Sequence, residues 1–266
     1  MHSRPLVIAR TGDIEKAPEN TLPAFESAIS RGADGVEFDV HLSFDGELVV
    51  HHFYNLGTTD NGEGLVNEHT LAELKALDSG GWFDKRFAGE PKPTLSEVLE
   101  LCKGRAKLEV DLKGSSAVFL RKVVGEIERL DLKGDVELTT AHYPLLTHVK
   151  KLDPELRTGT FFHEPPDWMP NRLAQTHALD WANLLGVAVV HLDIALITAG
   201  FVKDLHRGGF IVHGSNLDSA EEIQRGLNLG IDSFSTGRLG VALQLRDEFF
   251  KSGSAERNGK TGAGTN

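Results

Sequence analysis

Two stretches of this chain place carboxylates at the alternation of a β-strand. In Gly35-Val36-Glu37-Phe38-Asp39-Val40-His41, residues Glu37, Asp39 and His41 share one face, and Val36, Phe38 and Val40 share the other. Leu108-Glu109-Val110-Asp111-Leu112-Lys113 repeats the pattern, with Glu109, Asp111 and Lys113 on one side. The apolar faces suit a covering layer of helices, so the acidic faces are expected inside a closed or covered sheet. Interior carboxylates are costly unless something positive joins them. Hard oxygen donors suit Mg²⁺ first, with Ca²⁺ as the other candidate, so Glu37, Asp39 and Asp111 form the expected ligand set for a divalent cation. Lys113 would then offer its ammonium to an anionic substrate or to charge developing in a transition state. The plainer alternatives are an exposed strand edge for Glu37 and Asp39, or ion pairs in which Lys113 merely neutralises Asp111 or Glu109.

The elements that must position these groups follow from the rest of the pattern. Short β-branched runs recur at Leu6 to Ala9, Gly35 to Val40 with Leu48 to His51, Lys107 to Leu112, Val136 to Thr139, Arg157 to Phe161, Val187 to Leu192, Phe210 to His213 and Ser233 to Ser235. Amphipathic segments alternate with them, and the last is expected over Val241 to Lys251. This alternation predicts an α/β fold, a (β/α)₈ TIM barrel, for which about 250 residues is typical. Residues 1–251 read as a single domain. The Gly-, Asp- and Asn-rich stretch 53–93 is expected as a small excursion over the barrel mouth after the second strand, with a helix near Leu71 to Leu77. The tail 252–266 has almost nothing to bury and is expected to be disordered.

Composition narrows the partners. With 28 basic and 39 acidic residues, the net charge of −11 argues against a nucleic-acid or anionic-membrane surface, while leaving room for a local pocket that binds a small anionic substrate. Cys102 is the single cysteine and cannot close an intramolecular disulfide. The N-terminal residues lack the apolar core of a secretory signal, and no run has the length a membrane helix needs. A soluble, cytoplasmic protein is expected.

Several segments together resemble the glycerophosphodiester phosphodiesterase family. They are Ala17-Pro18-Glu19-Asn20-Thr21, Gly32-Ala33-Asp34-Gly35-Val36-Glu37-Phe38-Asp39-Val40, Asp45-Gly46-Glu47-Leu48-Val49-Val50-His51-His52, Asn61-Gly62 and Pro93-Thr94-Leu95-Ser96-Glu97-Val98-Leu99. The resemblance is dense over the first hundred or so residues. Beyond them it rests on the Asp111/Lys113 strand, Asn216 and the barrel layout. It implies a metal-dependent barrel that hydrolyses phosphodiesters, with the cation on Glu37, Asp39 and Asp111. It also implies two catalytic histidines, one of which His52 matches.

The other is missing. Where the family carries His-Arg-Gly, this chain has Arg10-Thr11-Gly12; Phe53 replaces the aspartate after the second histidine, and Gly237-Arg238-Leu239 replaces a family Asp-Arg-Pro. Arginine can clamp a phosphate or carboxylate, but it cannot exchange a proton at useful pH. Arg10, His52 and Lys113 are therefore the candidate catalytic residues. Arg10, Thr11, Phe53, His142, His163 and His213 are the candidate substrate contacts, the last three because they stand with His191 at expected strand ends facing one mouth. The expected activity is a divergent metal-dependent phosphodiesterase with altered substrate choice and His52 as base or nucleophile. A lyase, dehydratase or isomerase on the same metal site, acting on a non-phosphate substrate, is the second reading. A catalytically silent binding protein is the third.

Overall fold

Eight parallel strands close on themselves in a computed structural model that describes residues 4–260, of which 252–260 through their backbone alone. The barrel strands are β1 (Leu6–Arg10), β2 (Gly35–Leu42), β4 (Lys107–Leu112), β5 (Val136–Thr139), β6 (Arg157–Phe162), β7 (Val189–Leu192), β8 (Ile211–Gly214) and β9 (Ser233–Thr236). Closure comes from β1, which pairs with both β2 and β9. The short β3 (Leu48–Val50) lies outside the parallel barrel, antiparallel to the end of β2. The expected TIM barrel is the observed one. The run Leu48 to His51 is thus an added hairpin strand on the second barrel strand.

Helices α1 (Leu22–Ser30), α3 (Leu95–Cys102), α4 (Ala117–Arg129), α5 (Tyr143–Leu152), α6 (Asn171–Leu185), α7 (Ala199–Arg207), α8 (Ala220–Leu229) and α9 (Leu239–Lys260) follow the strands. Several begin where the sequence supplies a capping oxygen. Thr94 and Ser219 accept from Glu97 N and Glu222 N, and those glutamates reach back in reciprocal capping boxes. The helical backbone of α9 continues past Lys251, the end expected from sequence, because 252–260 hold no proline to stop it. Residues 261–266 of the expected disordered tail lie outside the described residues. No helix among the described residues is long and apolar enough to cross a membrane.

The two faces of the strands differ in kind. Val36, Phe38, Val40, Val110, Leu112, Val190, Val212 and Phe234 point outward into one continuous apolar shell with Phe25, Leu99, Leu120 and Ile127 of the helices. Phe38 meets Phe25 edge to face at 5.6 Å. Each such side chain contributes about 1.5 to 3 kcal/mol by burial. Many of the inward positions are polar: Glu37, Asp39, Glu109, His191, His213, Ser233 and Ser235 are all buried.

The excursion after β3 is a folded unit with η1 (Val66–Glu68), α2 (Leu71–Lys75) and η2 (Lys85–Phe87). It has its own apolar cluster of Val49, Leu56, Val66 and Leu74. A buried polar knot ties it to the chain just before His52. Lys92 Nζ donates to Asp60 Oδ2 at 2.6 Å, Ser79 Oγ at 3.1 Å and His51 Nδ1 at 3.3 Å. Burial, with Lys92 beside it, pushes the His51 pKa down to about 4, so the folded protein holds this ring neutral. The unfolded chain takes up a proton near pH 6.5, so this contribution to stability is present above pH 6.5 and is lost as pH falls towards 4. Between pH 7 and pH 5 the wild type is therefore expected to lose about 2 kcal/mol more unfolding free energy than His51→Gln. Urea unfolding of both proteins at the two pH values measures the difference. Equal losses would show that His51 is not held neutral.

Candidate active site

The C-terminal ends of the strands surround a cavity of about 280 Å³ lined by residues that include Arg10, Thr11, Glu37, Asp39, His52, Asp111, Lys113 and His163. In barrels of this type catalytic groups collect at that end. β2 delivers Glu37 and Asp39 side by side on its inner face, and β4 delivers Asp111, paired in register with Asp39. Lys113 follows β4 and bridges the two strands, with Nζ 2.9 Å from Asp39 Oδ1 and 2.7 Å from Asp111 Oδ2. The ion pair weighed from sequence thus exists, with Asp39 as its second partner in place of Glu109.

Each carboxylate is individually held. Glu37 Oε2 accepts from Thr11 N at 2.9 Å, and Asp39 Oδ2 accepts from Asn20 Nδ2 at 2.9 Å. Burial, then the charges of Asp39 and Asp111, push the Glu37 pKa well above the usual carboxylate range. Burial likewise raises Asp39, against the opposing pull of Lys113. Burial works against the Lys113 charge, but Asp39 and Asp111 outweigh it and raise its pKa. Asp111 Oδ1 is buried with no hydrogen-bond partner. Glu37 and Asp39, both raised by burial, and the orphaned oxygen of Asp111 beside them are oxygen donors of the kind a hard divalent cation takes.

His52 stands beside them. Its Nδ1 lies 3.2 Å from Glu19 Oε1, and this contact raises its pKa against the effect of burial, with Asp39 adding to the rise. Phe53 stacks on the His52 ring at 4.5 Å, outside the cavity lining. Arg10 Nη2 donates to Asp218 Oδ2 at 2.8 Å. Asp218 is itself fixed by Gly237 N at 2.8 Å. A Cβ on residue 237 would lie 3.1 Å from Arg10 Nη2, so glycine leaves the space that the guanidinium fills. Thr11 adopts φ 52° to turn its N–H toward Glu37. A β-branched residue rarely occupies that region, and the strain is of order 1 to 3 kcal/mol.

Of the histidines expected at one mouth, His163 alone lines this cavity. His142 sits to the side, its Nε2 3.3 Å from Tyr54 Oη of the excursion, in a depression shared with Tyr143 and Trp181. His191 and His213 lie further still from the expected mouth. They are paired in register on β7 and β8 inside the barrel, buried, and His213 lines a cavity at the opposite, N-terminal end. Sequence position near a strand end does not give height along a barrel, because the stagger between neighbouring strands shifts each one axially.

The site also holds residues that strand patterning did not single out. Glu19 and Asn20 come from the Ala17-Pro18-Glu19-Asn20-Thr21 segment, whose only sequence signal is the family resemblance. Ser215, with a buried Oγ lacking a hydrogen-bond partner, and Ser235 line the cavity from β8 and β9 ends. Glu109, noted from sequence only as a neighbour of Asp111, lines both this cavity and the one at the barrel base.

A parallel barrel with paired carboxylates, a lysine and a carboxylate-held histidine at its mouth can hold an anionic substrate beside a group able to take its proton. Residues 12–241 match the model of the glycerophosphoryl diester phosphodiesterase family, and the chain belongs to that family of phosphoric diester hydrolases. A glycerophosphodiester phosphodiesterase of Caldanaerobacter subterraneus is 33% identical over 87% of this chain and 93% of its own length. One from Bacillus altitudinis is 30% identical over 91% of this chain and 98% of its own. Among solved structures, an Oleispira antarctica phosphodiesterase in complex with the product sn-glycerol-3-phosphate superposes with a TM-score of 0.81 at 28% identity, covering 91% of this chain and 97% of that one.

Proposed function

We propose that the protein is a divalent-cation-dependent glycerophosphodiester phosphodiesterase whose substrate choice has shifted toward esters with leaving groups that depart with little help from an acid. The observation that supports this reading is the presence in one cavity of Glu37, Asp39, Asp111, Lys113 and His52, with arginine at position 10. Glu37, Asp39 and Asp111 would hold the cation, Mg²⁺ being the ion of first choice. When bound, the cation polarises the phosphoryl group and neutralises charge that builds up on its oxygens. Lys113 and Arg10 add fixed positive charge for the same oxygens, and His163 extends the cavity wall.

The chain's own residues divide the proton traffic unequally. His52, with Nδ1 directed to Glu19, keeps Nε2 for exchange with substrate or water, and Glu19 stabilises the imidazolium that forms when the ring accepts a proton. Arg10 cannot replace a second histidine, so the departing alkoxide receives no proton from it. The Oleispira relative's product complex supports a phosphate monoester product, and the kept carboxylates and lysine favour phosphodiester hydrolysis over the lyase, isomerase and silent-binding readings.

Turnover of glycerophosphocholine and of bis(p-nitrophenyl) phosphate, each with Mg²⁺, Ca²⁺ or a chelator, tests the proposal. Metal-dependent turnover much faster on the nitrophenyl ester is expected. Hydrolysis that survives chelation, or none at all with metal present, would overturn it.

Two variants probe the division of roles. Arg10→His is expected to speed glycerophosphocholine hydrolysis by about 100-fold, the lower end of the general acid–base range, while barely changing the nitrophenyl ester. Recovery remains partial because Asp218 Oδ2 loses the Arg10 guanidinium and Thr11 and Phe53 stay. An equal gain on both esters would show that position 10 governs binding instead. As a base, His52 must be neutral to act, so activity falls as pH drops through its raised pKa. Glu19→Gln removes the largest cause of that rise and is expected to move the acid limb of the kcat/KM profile to lower pH. An unmoved limb would mean that another group governs it.

A further inference from the structure

Below the mouth, the barrel interior contains a second cluster that phosphodiester chemistry does not use. Glu109 on β4, His191 on β7 and His213 on β8 are fully or almost fully buried. Their ligand-capable atoms all lie within 4.8 Å of one another, the one such group of three among the described residues. His191 Nδ1 is 3.5 Å from Glu109 Oε1, and His213 Nε2 is 3.9 Å from Glu109 Oε2. Those two ring nitrogens are buried and have no hydrogen-bond partner.

The far side of each ring is occupied. His191 Nε2 is 2.6 Å from Glu137 Oε1, and His213 Nδ1 is 2.9 Å from Ser233 Oγ. Each imidazole therefore has an outer partner that fixes its rotation and leaves the other nitrogen aimed inward, as in metal-binding histidines. Gly159 makes room for the arrangement, since a Cβ there would lie 2.2 Å from Glu137 Oε1 and 2.5 Å from His191 Nε2. Two ligands at tetrahedral angles on one Zn²⁺ are roughly 3.4 Å apart, close to the separations from Glu109. A cavity of about 350 Å³ at the barrel base is lined by Glu109, Glu137, His213 and Ser233, with Arg4 and Lys107 at the N-terminal end of the strands.

We propose that Glu109, His191 and His213 form a second cation site within the barrel, suited to a borderline transition-metal ion of the Zn²⁺ class. Glu137 and Ser233 are its positioning residues. Two imidazoles and one carboxylate select such an ion over Mg²⁺ or Ca²⁺, which take all-oxygen shells, so the two sites differ in metal preference. The ion compensates carboxylates that otherwise face each other in the barrel centre, where unpaired charge is costly. Water from the base cavity completes its shell.

Metal-free protein titrated with Co²⁺ alone tests the site, because a four-coordinate ion with nitrogen ligands absorbs visible light far more strongly than one in an all-oxygen octahedral shell. A saturable, stoichiometric band is expected in the wild type and in Glu37→Gln, whose altered ligand lies at the mouth. His213→Gln should abolish the band, and Glu137→Gln should weaken Co²⁺ binding by about 10- to 100-fold. Zn²⁺ should raise the wild-type Tm and displace Co²⁺. X-ray absorption at the zinc edge of loaded wild type needs no variant to fold and should show two imidazoles. No band and no thermal shift in the wild type, an oxygen-only zinc shell, or an unchanged band in folded His213→Gln would overturn the proposal.

Discussion

Glu37→Gln is expected to lower phosphodiester turnover by about 10³-fold, the loss of several kcal/mol of transition-state stabilisation. The substitution keeps the side chain's shape and its contact with Thr11 N, while removing a charge that the proposed cation would require. Burial and the neighbouring Asp39 and Asp111 already disfavour that charge, so the apo fold does not depend on it. Tm in chelator should stay level or rise. Rates with both esters at several Mg²⁺ concentrations, read beside Tm, separate the outcomes. A variant that turns over normally would remove Glu37 from the ligand set, and one that fails to fold would assign it a structural role.

Lys92→Met is expected to cost about 3 to 5 kcal/mol, because it strands a buried aspartate without its counter-charge. The Asp60 side chain is 0% and that of Lys92 2% exposed, so water cannot replace the lost partner. For a chain of this size the Tm should fall by about 10 °C. Adding Asp60→Asn should return much of the loss, since Gly57 N and Gly62 N can still donate to the amide oxygen. Turnover should drop as well, because Lys92 also grips His51, the residue before His52. Differential scanning calorimetry of the two single variants and the double variant gives the coupling. Additive losses would show that Lys92 and Asp60 act independently.

Much of this was readable in advance. Period-two patterning located the barrel strands and put Glu37, Asp39 and Asp111 on a common inner face, because parity along a strand is a local property. Height along the barrel axis is not local. His191 and His213 have the inward parity of active-site residues, yet inter-strand register places them in the barrel interior. The Lys92 knot joins residues 32 positions apart across an irregular connection, which no periodicity marks. Glu19 and Asn20 lie on a loop and were visible only as part of a family segment. Arg10 stands out in the sequence against the family's His-Arg-Gly pattern. Its accommodation by Asp218 and Gly237 depends on contacts between β1 and the far end of the chain.

The separation between an apolar outer shell and a polar lumen has an evolutionary consequence. Val7 and Ala9 fasten β1 to the shell, and Arg10 follows them at the strand's end, facing the cavity. A lineage can therefore exchange a proton-carrying side chain for a permanent cation there without loosening the contacts that keep the barrel together. Adhesion and chemistry are inherited on opposite sides of the same strands, so this scaffold can change what it does to a substrate faster than it changes its shape.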